Sequence, residues 1–140
     1  MLTCKPPRSG ALMISFPASD TVQLAAQMVI GTVWIFHGLY SKLLNGIPRH
    51  RLIVGRVLGN RFAATATRVI GVLEVLLGLW VFTGWQPVAC AGVQTLALVG
   101  MNTLEILLAG DLLISAIGMV ILNLGFLALV WHWALSGQRI

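Results

Sequence analysis

A single carboxylate, Glu74, lies near the middle of Arg68–Phe82, a stretch otherwise apolar enough to sit in a bilayer. An ionisable side chain at that depth costs about 2.5–3.5 kcal/mol on insertion scales, so such groups face a bundle interior or a cavity and carry function by default. At helical spacing Arg68, Gly71, Glu74 and Gly78 share one face, with Leu, Val and Trp around the rest. The two glycines let a second helix come close at the carboxylate. The chemistry open to Glu74 is to hold or pass a proton, or to hydrogen-bond the polar head of a ligand in a shared pocket.

Other polar residues fall at similar depth. His37 and Lys42 sit in the latter half of the first apolar stretch, and Asn102 and Glu105 share a face late in the third. Buried charge needs partners, and the pairs expected are Glu74–His37, Glu105–Arg68 and Glu105–Lys42. The candidate pocket therefore comprises His37, Lys42, Arg68, Glu74, Asn102 and Glu105. Each has a plainer reading. Lys42 can snorkel to headgroups, Glu105 and Asp111 can be solvated near the interface, His37 can be a structural hydrogen-bonding residue, and Asn123 suits an interhelical hydrogen bond. Glu74 fits the plain reading least. His37, Glu74 and Glu105 have metal-ligand types but no ligand spacing, so no metal site is assigned. His37 and His132 lie toward opposite halves of the bilayer, which argues against one haem iron taking both.

The elements that must position these residues follow from composition. The 140-residue chain is 58% hydrophobic, 9% charged and has a mean hydropathy of +0.92, whereas a soluble domain carries about 25% charged residues. One small core cannot bury that much apolar surface. Several segments reach the ~20 apolar residues that cross a bilayer. The fold class expected is all-α: a polytopic membrane protein, a four-transmembrane-helix bundle with a short interfacial segment between helices 1 and 2. Spans are placed at about 22–44, 63–83, 88–109 and 112–135, inside a transmembrane domain of residues 21–135. Residues 1–20 read as a mobile or interfacial tail and 136–140 as a short polar one. Ser19 or Asp20 is suited to cap span one and Asn60 span two; Gly84-Trp-Gln-Pro87 is a tight turn; and Ala109-Gly110-Asp111 ends span three and starts span four.

The formal charge of +5 does not point to nucleic acid, because the basic residues lie between apolar spans, where anionic headgroups are nearer. Arg49, Arg51, Arg56 and Arg61 are read as headgroup contacts, within a loop whose His50–Leu58 portion alternates basic and apolar groups like an interfacial helix. Four spans put both termini on one side and this loop on the other, the basic face. The positive-inside rule makes the basic face cytoplasmic, in the cytoplasmic (inner) membrane if the source is bacterial. Trp80, Trp85, Trp131 and Trp133 read as an aromatic belt on the terminal face. The polar residues thus crowd toward the basic face, under a basic lid, with apolar packing below. Cys4 and Cys90 form no CxxC pair, so dithiol chemistry has no motif.

Two segments carry a family resemblance. Trp34-Ile-Phe-His-Gly-Leu-Tyr-Ser-Lys-Leu-Leu44 in span one and Gly71-Val-Leu-Glu-Val-Leu-Leu-Gly78 in span two resemble the DoxX-like group of small four-span proteins, as do Asn102, Glu105 and Asn123-Leu-Gly125. The resemblance covers roughly residues 22–135. It implies a four-helix membrane bundle, with His37, Lys42, Glu74, Asn102 and Glu105 as shared polar positions. The family name comes from a subunit associated with an archaeal terminal quinol oxidase, some bacterial relatives sit in membrane redox complexes, and others are cargo receptors or assembly chaperones. No catalytic mechanism is implied.

Three readings follow. The chain is an accessory subunit of a membrane redox system that binds a quinone head near His37 and Glu74. Or it is a non-enzymatic assembly protein whose glycines, Gly31, Gly38, Gly71, Gly78, Gly118 and Gly125, hold a partner's spans. Or it is a small lipid or solute carrier, a reading that the lack of an inverted repeat weakens. A standalone enzyme is disfavoured, since no nucleophile–base pair or nucleotide loop is visible. The partners expected are the lipid bilayer and a membrane protein or a second copy of the chain.

Overall fold

The computed structural model describes residues 18–137, and these are all-α. Helix α1 (Ala18–Ile35) runs on into a π-helical segment, Phe36–Leu43; α2 is Pro48–Leu58, α3 Ala63–Thr83, α4 Pro87–Ala109 and α5 Ala116–Ser136. A short 3₁₀ turn, Gly110–Leu112, follows α4. Four helical stretches, Ser19–Leu43, Ala63–Thr83, Pro87–Leu112 and Ala116–Ser136, are long and apolar enough to cross a bilayer. Their outward surfaces are apolar too: Leu96, Leu107, Ile117 and Leu122 are each about three-quarters exposed, which only a lipid surrounding makes tolerable. The expectations for Cys4 and for most of both tails lie outside the described residues.

The bundle is assembled as two helix pairs. α1 packs on α3, α4 on α5, and the pairs join through α1 and α5, whereas α3 and α4 touch only sparsely. α2 lies across one end, against α3, α4 and the π segment. The α1–α3 seam depends on four glycines. A Cβ at Gly31 would lie 2.6 Å from the Phe82 ring and one at Gly78 2.8 Å from the Gly31 carbonyl oxygen, while a Cβ at Gly38 would strike the Gly71 carbonyl oxygen. Seven-residue spacing on both antiparallel helices brings backbone to backbone at two levels. These four glycines are therefore consumed inside the chain and do not face a partner, contrary to the assembly reading. A Cβ at Gly125 would meet nothing.

The core sits toward the terminal face. Ala26, Ile30 and Trp34 of α1 meet Leu77 and Val81 of α3, Cys90 and Ala91 of α4, and Val130, Trp133 and Ala134 of α5. Trp133, expected in the aromatic belt, is 2% exposed, because its indole fills this core. Polar ties fix the helices: the Trp34 indole N–H donates to Gln94 Oε1 at 2.7 Å, and the Gln27 amide donates to the carbonyls of Val81 and Phe82 near the end of α3.

Several boundaries depart from expectation. α5 begins at Ala116, not at 112, with Ser115 as its cap, its hydroxyl accepting from the Gly118 N–H at 3.0 Å. Asp111, expected to start that helix, instead pairs with Arg56 of α2 at 3.0 Å. Asn60 does not cap α3; Phe62 occupies that position without a side-chain hydrogen bond. Ser19 and Asp20 lie within the first turn of α1 rather than before it. The turn at Gly84 is as read, with φ +65° that suits glycine, and Pro87 opens α4.

Candidate functional site

Glu74 is 5% exposed and its carboxylate is bound by Lys42, whose Nζ lies 2.6 Å from Oε1 and 2.7 Å from Oε2. The expected Glu74–His37 pair is not formed. The π segment explains the exchange. Its wider turn, marked by the Leu44 N–H donating to the Leu39 carbonyl, turns Gly38, Ser41 and Lys42 inward and leaves His37 outward. Gly71, one turn before Glu74, clears the path: a Cβ there would sit 3.0 Å from Lys42 Cβ. Lys42 thus crosses the glycine and meets the carboxylate, and it does not snorkel outward.

Two cavities meet at this pair. The smaller, about 100 Å³, lies beneath α2 and is lined by Lys42, His50, Ile53, Val57, Ile70, Met101 and Glu105 among others. The larger, about 430 Å³, is the cleft left where α3 and α4 splay apart, with Trp34, Leu73, Glu74, Trp80, Val93 and Ala97 on its walls. Ile70 and Met101 border both. One member of the ion pair faces each cavity. A volume of 430 Å³ lies within the ~300–1,000 Å³ typical of small-molecule sites, and its walls are apolar around one polar group, the usual composition of such sites.

The remaining candidates separate. Glu105 lines the small chamber, within electrostatic reach of both Lys42 and Glu74, but the expected Glu105–Lys42 ion pair is not formed. Arg68 is exposed and makes no ion pair among the described residues, so the expected Glu105–Arg68 contact is absent; its long side chain points off the helix face that buries Gly71 and Glu74. Asn102 leaves the pocket: its Oδ1 accepts from the Asn123 amide at 2.9 Å, tying α4 to α5, as Asn123 was expected to do. Arg51 and Arg61 are exposed and Arg49 is partly so, while Arg56, also exposed, is paired with Asp111. Among the described residues no three His, Cys, Asp or Glu side chains converge to hold a metal ion.

Two residues of the region were not singled out from sequence. His50 of α2 lines the chamber, its ring 6.2 Å from that of His37, and its Nδ1 is buried without a hydrogen-bond partner. Burial, helped by the nearby Lys42, His37 and Arg49 charges, holds the His50 imidazole down to about 4, so the ring is neutral at pH 7. Gln94, fully buried on α4, carries the Trp34 hydrogen bond. A glutamine in the mostly apolar first half of that span is the signal that could have found it.

The DoxX-like family profile matches residues 31–131, which include the π segment, Lys42, Glu74, both cavities and most of α5. The chain belongs to the DoxX-like family. No curated protein and no solved structure matches it. Membership in this family and four apolar spans make it an integral membrane protein.

Proposed function

We propose that this DoxX-like protein is an accessory subunit of a membrane redox system, in which the α3–α4 cleft takes a quinone-class lipid with its polar head at Glu74. The observation that carries the reading is the carboxylate of Glu74, ion-paired to the buried Lys42, on the wall of a 430 Å³ cleft. A carboxylate held by an ammonium offers both an acceptor and a donor within one side-chain length. A quinone carbonyl takes the donor and a quinol hydroxyl the acceptor. Trp34 and Trp80 supply flat walls for a ring, and a chain of isoprene units can leave sideways between α3 and α4 without crossing the bundle. The protein supplies binding and orientation; electrons come from the partner complex. The arginines of α2 favour a cytoplasmic placement for that end, in the cytoplasmic (inner) membrane if the source is bacterial.

The assembly reading has less support, because Gly31, Gly38, Gly71 and Gly78 are occupied by the chain itself. The test is photolabelling in nanodiscs with a ring-azido quinone analogue. Label on Leu73, Val93 or Ala97, lost with Glu74→Gln, supports the reading. Label spread over the outer faces of α4 and α5, unchanged by Glu74→Gln, contradicts it.

A further inference from the structure

We infer that Gln94 is a positioning residue for the cleft: it fixes the Trp34 indole as the back wall against which a ring held at Glu74 comes to rest. The inference rests on the quinone reading and adds to it the two residues that set how deep the ring can go. The level of the wall follows from the glycine seam. Gly31 faces Gly78 and Gly38 faces Gly71, so on these antiparallel helices Trp34 falls opposite Val75. Trp34 and Glu74 therefore lie within one residue's rise, about 1.5 Å, of the same level, and both border the cleft.

At that level the space between α1 and α4 is closed by side chains. The two backbones hardly touch, and the Trp34 indole bridges the gap, its N–H donating to Gln94 Oε1 at 2.7 Å. Gln94 is itself held: its amide N–H donates to the Cys90 sulfur, one turn earlier on α4, at 3.4 Å, which leaves Oε1 to the indole. The Phe126 ring of α5 meets the indole edge to face, with centroids 6.2 Å apart. Trp34 is 3% exposed and Gln94 is fully buried, so packed side chains back the wall.

A plain tie between helices does not require these residues. A buried amide costs free energy unless its hydrogen bonds are made, and an apolar pair would fill the same gap without that cost. A directional bond does what apolar packing does not. The indole has a single N–H donor, and a bond along it, together with the Phe126 contact, sets the plane of the ring. The cleft then ends at a fixed distance from Glu74, and a flat head that reaches the carboxylate finds an aromatic partner already in place. A wall ordered before the ligand arrives spares binding the entropy of ordering it.

The test uses the full chain in nanodiscs, with fluorotryptophan at all five tryptophans and a short-chain substituted benzoquinone as ligand. Without ligand, fluorine spectra are expected to show one narrow Trp34 resonance in the wild type. In Gln94→Met, which keeps the side-chain length and loses the acceptor, that resonance broadens or splits. Trp133, in the same core, keeps its resonance and reports an intact fold. The quinone shifts the Trp34 resonance and not that of Trp133. Gln94→Met weakens quinone binding about fivefold, because a freed ring must be ordered on binding. Added to Trp34→Phe, it weakens binding no further, because Gln94 acts only through the indole. No binding to the wild type overturns the quinone reading and this inference with it. Where the wild type binds, a Trp34 resonance unmoved by ligand, equal binding by Gln94→Met, or losses that add in the double variant overturn this inference alone.

Discussion

Removing either member of the Lys42–Glu74 pair leaves a buried group without its counter-charge, and the cost can be worked from the geometry. At 2.6 Å, Coulomb attraction in an effective dielectric of ~20 is roughly 6 kcal/mol. Desolvation of two groups, each less than a tenth exposed, offsets most of it. Truncating one partner of a buried pair costs about 3–5 kcal/mol, while replacing both with neutral groups of similar size is often close to neutral. Lys42→Met and Glu74→Gln are therefore each expected to lose about 3 kcal/mol, and the double variant much less than their sum. The coupling should exceed the ~0.6 kcal/mol average of interhelical hydrogen bonds in membranes by several fold. Reversible unfolding in mixed micelles, followed by tryptophan fluorescence, measures it as a double-mutant cycle. Singles that add to the double within about 0.5 kcal/mol would show that the two side chains do not interact, and the site as described would fail.

Three further outcomes follow from the same structure. Gly38→Leu, whose added atoms strike the Gly71 carbonyl, should cost at least the ~1–3 kcal/mol of core overpacking, whereas Gly125→Ala, with nothing within 4 Å, should be neutral in the same unfolding assay. Imidazole resonances of His50 should titrate near pH 4. The undocked ring binds its proton near the ordinary 6.5, so docking of α2 weakens as pH falls from about 6.5 to about 4 and changes no further below. Partial exposure limits that loss to about 1 kcal/mol, and a midpoint between 6 and 7 would refute the burial. Asn102→Ala should destabilise by only about 0.6 kcal/mol and leave photolabelling intact, because its amide serves the α4–α5 contact and not the cleft.

The large features were readable because they depend on composition and period. Apolar stretches of bilayer length, broken at Gly84-Trp-Gln-Pro87 and near Gly110, admit little but four spans, and the heptad-spaced glycines announced a close seam at Glu74. What escaped the sequence depends on local geometry. The π segment has no compositional mark, so the inward turn of Lys42 and the outward turn of His37 were invisible, and with them the true partner of Glu74. Arg68 was placed in the pocket by counting 3.6 residues per turn from Glu74. The actual seam follows Gly71, Glu74 and Gly78, and the arginine falls just outside it. His50 was hidden for a related reason: on an interfacial helix a histidine reads as one more basic residue, until the fold of α2 over the bundle end buries one ring nitrogen. The lateral cleft could not be foreseen either, because sparse packing between α3 and α4 is a property of their crossing and not of either helix alone.

The central claim is that the α3–α4 cleft, with Glu74 in its wall, holds a quinone-class lipid. Quantitative mass spectrometry of lipids retained per chain after mild extraction tests it most directly, comparing the wild type with Glu74→Gln and with Ala97→Trp, which fills the cleft without touching the ion pair. The account predicts about one quinone-class molecule per wild-type chain and loss from both variants. Equal retention in all three would mean that any such lipid is held elsewhere, and would contradict the account.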